Sequence, residues 1–378
     1  MTTTQTSSRP LQGLVVGISV SEAENITAWG YTSADVSRVT VRLCEALLAT
    51  GARLLFGHDW RPDGIMDAIG RLAVKYQPSG DGNANCPILH SLLPWPNQSS
   101  LEPSLRTELE QRGVLKIETM PAPEGDWQSA DNPTAVAIAL SELRKELAVC
   151  CDARVCIGGK EAKEKTDKIN GFYAGVVEEA YHTAQADKPV YFGSFLGGAS
   201  ASVAQFLKSQ VQPGVAEPSL PPTDPVFQVV PSKADLFHKM KNPFARLTDA
   251  TSGSSLLNVV TGGLLGKLGA AANEISKAMV ESRSKTAHEL TEDLSGEFDN
   301  QQLQQRSRLS EEEWLQMLKA PDSEAFVTWI LRGLRRVAAE KTPGTVQPTS
   351  SASAPVTPPS TPPVPSPKRT PRRRRSPQ

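Results

Sequence analysis

The chain has few cysteines, and they are not placed for a metal. Only Cys44, Cys86, Cys150, Cys151 and Cys156 occur, and the adjacent pair Cys150 and Cys151 lacks the two-residue gap that a zinc knuckle requires. An odd number also excludes a fully paired disulfide framework, so a reducing cytoplasm is the expected setting. No run reaches the roughly 20 apolar residues that span a bilayer. The polar start Met1–Pro10 lacks the apolar core of a secretory signal.

Catalytic signatures are missing as well. No phosphate loop ends in Gly-Lys-Ser/Thr, no three-glycine dinucleotide fingerprint is followed by an acid about twenty residues on, and no serine sits in a Gly-x-Ser-x-Gly elbow. Ordinary kinase, GTPase, dehydrogenase and serine-hydrolase readings lose their footing. Acidic residues are absent from 341–378, which holds seven of the 40 Lys and Arg; the remaining 33 face 41 Asp and Glu, so the body carries about -8. A mildly acidic body is not that of a protein that coats DNA.

What the sequence does contain is alternation. Leu14–Val20 is a short β-branched run that reads as a buried strand. Val36, Val39, Leu43, Ala46 and Leu47 then form one helical stripe that stops at Gly51. Further strands are expected at Arg53–Gly57, Cys86–Leu93, Val114–Met120, Arg154–Ile157 and Pro189–Phe192. Helices are expected at Gly64–Val74, 133–150, 172–186 and 199–208. This order predicts an α/β, Rossmann-like parallel sheet with helices on both faces. Prolines at 213, 218, 221, 222 and 225 interrupt regular structure, and a weakly helical stretch follows to about 297. Ser310 before three glutamates opens a further helix. Asp322–Val337 carries Phe326, Trp329, Ile330 and Leu334 on one face. Beyond 341 the composition is Pro, Ser and Thr with Arg372–Arg375, which predicts a disordered basic tail.

In parallel α/β sheets, ligands sit beyond the carboxyl ends of the strands, where tight turns and helix starts present N–H groups to anions. Four glycine-bearing strand ends meet that description: Gly17, Ser19, Ser21 and Glu22; Gly57, His58, Asp59 and Gly64; Gly158, Gly159 and Lys160; and Gly193, Gly197 and Gly198. Glu178 and Glu179, a turn into a helix, are placed for a ribose diol or a water. Arg144 and Lys160 are placed to neutralise phosphate, and Trp95 to stack on a base. No metal site is expected.

These residues also resemble a known family. The stretches Gly17–Glu22, Ala49–Gly57 with Asp59, Arg61, Pro62 and Gly64, Leu143–Arg144, Ala153–Lys160, Gly175–Ala180 and Pro189–Ala199 are similar to the SLOG superfamily. It includes LOG-type phosphoribohydrolases, DprA/Smf-like domains and nucleotide sensors of bacterial conflict systems. The resemblance implies a Rossmann-like domain that binds a nucleotide or an NAD-derived ligand, with no further cofactor required. It divides the chain into a flexible 1–11, a SLOG-like domain at 12–210, a proline-rich linker and helical insertion at 211–300, closing helices at 301–340 and the tail at 341–378.

In the enzymes of that superfamily a doubled glycine and a Gly-Thr-x-x-Glu run build the site. Here Gly158-Gly159 and Gly175–Glu179 correspond, which puts Glu179 at the acid position and Arg144 near the family arginine. The proline before the doubled glycine is Ile157, and the threonine is Val176. Three readings follow. The first is a nucleotide sensor acting on a homo-oligomer or an effector protein. The second is an N-glycosidic hydrolase using Glu179 and Arg144. The third is an adaptor whose basic tail contacts nucleic acid or another polyanion.

Overall fold

A computed structural model describes residues 9–23, 26–57, 65–77, 87–97, 101–123, 133–161, 171–211, 294 and 296–341. His58, Asp59, Gly64 and Cys86, most of the 211–300 stretch and nearly all of the expected tail lie outside the described residues.

Strand β1 (Val15–Ser21) leads through a short 3-10 turn (Ile26–Trp29) to helix α1 (Ser33–Ala49). There follow β2 (Arg53–Gly57), α2 (Ile65–Tyr76), β3 (Leu89–Leu93), α3 (Pro103–Gln111), β4 (Leu115–Thr119) and α4 (Pro133–Cys150). The chain continues as β5 (Ala153–Gly158), α5 (Gly175–Gln185), β6 (Val190–Gly193) and α6 (Gly198–Val211). After the undescribed stretch come α7 (Asn300–Ser307), α8 (Glu311–Leu318) and α9 (Ser323–Lys341).

The six strands form one sheet in the order β4-β3-β2-β1-β5-β6, and every pairing is parallel. Helices α4 and α5 pack on each other, as do α1 and α2, and α6 lies against β5 and β6. The expected Rossmann-like architecture is therefore the observed one. Strands β5 and β6 are buried along their whole length, as parallel strands covered on both sides must be. Strand β3 begins at Leu89, after Pro87, which has no N–H to give to a ladder.

Helix α3 comes without an expectation from the sequence, and α7 opens the expected closing helices without a stripe of its own. In α3, Glu102 caps the start by accepting from the Leu105 N–H, and Pro103 supplies a preset first turn. In α7, Asp299 accepts from the Gln302 N–H at 2.7 Å. The helices after residue 294 pack along β6 and α6. Phe326 of α9 tilts against Phe195 with ring centres 5.7 Å apart, and the Tyr191 hydroxyl donates to the Ser307 carbonyl at 3.0 Å. Gln210 at the end of α6 clasps the returning chain: its amide donates to the Phe298 carbonyl at 3.0 Å and accepts from the Asn300 N–H at 2.7 Å. Among the described residues, no helix is long and apolar enough to cross a membrane.

Candidate functional site

Strands β2, β3 and β4 are laid to one side of β1, whereas β5 and β6 are laid to the other. The chain direction thus switches between β1 and β5, and the crevice beyond their carboxyl ends is where open α/β sheets take ligands. The register sets Ser21 opposite Gly158 at this point.

Four glycines with left-handed backbone build the rim: Gly158 (φ +66°), Gly159 (φ +99°), Gly197 (φ +68°) and Gly198 (φ +68°). A side chain is excluded there for two reasons, the dihedral and the crowding. A Cβ on Gly158 would lie 2.3 Å from the Ser21 carbonyl oxygen, and one on Gly198 would lie 2.3 Å from the Gly159 carbonyl oxygen. Backbone hydrogen bonds lock the same loops together, from Gly159 N–H to Ser21 O at 2.8 Å and from Ala199 N–H to Gly159 O at 3.0 Å. Gly159 lies between Val176 at the start of α5 and Ala199 at the start of α6. The position that is threonine in the resembling enzymes thus puts a valine methyl against the doubled glycine.

Before the glycine turns, β1, β5 and α5 share a charged and buried cluster. Arg154 is fully buried and sits beside Gly17 on β1, where a Cβ would meet its guanidinium at 3.1 Å. Its Nε donates to the Thr183 hydroxyl at 2.7 Å. Its Nη1 donates to the Ser19 hydroxyl at 2.8 Å and to Glu179 at 2.8 Å. The Ser19 hydroxyl in turn donates to the same Glu179 oxygen. Next to this cluster, burial pushes the Cys156 thiol up to about 12, so it stays a neutral thiol at physiological pH.

Glu178, one residue earlier, faces a different arginine. It pairs with Arg144 of α4, and both side chains are buried. The Arg144 guanidinium also crowds Gly171 and Gly175, where a Cβ would lie 2.5 and 2.9 Å from its nitrogens. Burial alone raises the Glu178 carboxyl, but Arg144 and His182 outweigh it and hold it down to about 2. Both acids are thus turned onto arginines.

The remaining candidates divide by place. Ser21, Gly158, Gly159, Gly197 and Gly198 converge on the crevice, with Lys160 directly after the doubled glycine and half-buried. Glu22 instead accepts from the Ser33 hydroxyl at 2.9 Å, and Asp35 closes a capping box with Thr32. The start of α1 is therefore already supplied with carboxylates, while the first turn of α6 has no acid. Gly193 makes room for Phe326, whose ring would lie 3.0 Å from a Cβ there. Gly57 makes room for Leu147 at 2.4 Å. Trp95 follows β3, two strands from β1, or about 10 Å at ordinary strand spacing. Among the described residues, no three His, Cys, Asp or Glu side chains cluster as a metal site needs.

Two residues of this region escape a reading of the sequence. Arg154 looks like one charge in an apolar strand, and that mismatch was its only signal. Trp29 looks like a stray aromatic in a polar loop, yet its indole lies against Gly197.

The family model described as SLOG cluster2 matches residues 10–242, more than half of the chain, and the chain belongs to that family. No curated protein and no solved structure matches it.

Proposed function

We propose that this chain is a receptor for a nucleotide or an NAD-derived molecule, of the kind that serves as a sensor in bacterial conflict systems. The observation that carries the reading is the convergence of Gly158, Gly159, Gly197 and Gly198 on Ser21 at the switch between β1 and β5. Bare backbone at a strand-to-helix turn is what an anionic group can approach closely. The first turn of α6 carries no acid of its own, and Glu161 is taken up by the Ser202 hydroxyl a turn on, which supports a phosphate at the Gly197–Gly198 end, with Lys160 as a neighbouring positive charge.

The wiring of the acids favours a receptor over an N-glycosidic hydrolase. Glu179 is held by Arg154 and Ser19, and Arg144 is neutralised by Glu178. The two groups that hydrolysis would draw on are thus bound to partners of their own. Occupancy of the crevice would be relayed to an oligomer or an effector chain, with the stretch at 211–300 as the connecting element.

Mass spectrometry of small molecules that co-purify with the full chain, followed by calorimetric titration with AMP and ADP-ribose, tests the proposal. Saturable binding without release of free base is the expected result, and Gly198→Ala should weaken it at least tenfold. Release of adenine by the wild type that disappears in Glu179→Gln would replace the receptor with the hydrolase.

A further inference from the structure

The described residues expose two large apolar side chains, Trp29 at 48% and Val149 at 67%. Single exposed hydrophobics are ordinary on protein surfaces, so exposure alone gives neither one a role. Their positions separate them. Val149 ends α4, just before β5 begins, at the amino-terminal edge of the sheet. Trp29 follows β1, at the carboxyl edge where the glycine turns converge.

The indole of Trp29 lies on the turn between β6 and α6. A Cβ on Gly197 would come within 2.4 Å of Nε1, 2.6 Å of Cδ1 and 2.7 Å of Cε2. Gly197 is therefore bare both for its dihedral and for this ring. Ala23, between β1 and Trp29, reaches the adjacent Gly198, where a Cβ would lie 2.7 Å from its own. The segment after β1 thus lays one small residue and one indole along the glycine turn. Trp29 as a whole keeps 48% of its surface exposed, while its ring lies on the Gly197 turn.

We infer that Trp29 is the aromatic platform on which the planar base of the ligand stacks, next to a phosphate held at the glycine turns. The inference rests on the nucleotide-receptor reading and gives it a residue for base recognition. Stacking on an indole accepts any base face, so Trp29 provides affinity for a base without choosing its identity. It also takes from Trp95 the role that the sequence had pointed to.

The test uses the full chain, its Trp29→Ala and Trp29→Phe variants, and three probes: AMP and ADP-ribose, which carry adenine, and ribose 5-phosphate, which does not. Trp29→Ala should weaken AMP and ADP-ribose by about tenfold or more, within the range of base–aromatic stacking. Ribose 5-phosphate should change by less than about twofold, and Trp29→Phe should keep most of the adenine affinity. Equal losses for all three probes would make Trp29 a brace for the Gly197 turn and overturn the stacking role. Unchanged AMP binding in Trp29→Ala would overturn it too, with the receptor reading left standing. A wild type that binds none of the three sinks both. Thermal melts of the variants separate a loss of stacking from a loss of fold.

Discussion

Glu178 and Glu179 are neighbours in the chain and each is bound to an arginine, yet the two pairs do different things. The Arg144–Glu178 pair joins α4 to α5 and is closed in by Gly171 and Gly175. It resembles a rivet between two helices on one face of the sheet. The Arg154–Glu179 pair crosses from β5 to α5 under β1 and takes Ser19 and Thr183 into the same network. The Glu179 side chain keeps 15% of its surface exposed. Adjacent residues with the same chemistry are thus divided by one helical step of about 100° into a pair between two helices and a network that ties α5 to β1 and β5.

Removing one member of each pair should separate their costs. Arg154→Met is expected to be the most damaging, at the upper end of the roughly 3–5 kcal/mol seen when a buried ion pair loses one partner. It also removes the donor from which the Ser19 and Thr183 hydroxyls accept, and urea unfolding of the full chain reads the loss. Arg144→Met should fall nearer the lower end of that range of about 3–5 kcal/mol, because Glu178 can neutralise itself by taking a proton. The double variant Arg144→Met with Glu178→Met should recover most of that loss. A double variant no better than Arg144→Met alone would show that Glu178 does not depend on its arginine.

The smallest effect is in acid. Glu178 has a folded pKa of about 2, below its ordinary 4.5. Its contribution is therefore complete above about 4.5 and is lost as the pH falls toward 2. Stability measured against pH should decline through that window in the wild type and more gently in Arg144→Met, where the carboxyl is already neutral. Identical slopes would remove the pair from the acid response.

The sequence revealed the sheet better than it revealed the site. Strands β1, β2, β5 and β6 stood out because β-branched and aromatic runs end abruptly in glycine or polar residues. Helix α3 was hidden because only Leu105 and Leu109 of it are buried, too few to show a period. Helix α7, Asn-Gln-Gln-Leu-Gln-Gln-Arg-Ser, offers one apolar residue, and its packing rests on polar contacts such as Asn300 accepting from the Trp314 indole at 2.8 Å.

At the site, every glycine after a strand looked alike. Only geometry separates the left-handed Gly158, Gly159, Gly197 and Gly198 from Gly17, Gly57 and Gly193, which are small because Arg154, Leu147 and Phe326 occupy the space. The partners of Glu178 and Glu179 lie 34 and 25 residues away on other elements. Local pattern carries no trace of such pairings.

The clasp made by Gln210 has a consequence for how this chain can change over evolutionary time. Because one side chain holds the end of α6 to Phe298 and Asn300, the two described chain ends, at 211 and 296, are fixed beside each other. Closing a loop costs only about 0.6 kcal/mol more for each doubling of its length. With its ends held in this way, a change in the number of residues between them is expected to cost the sheet and the crevice little.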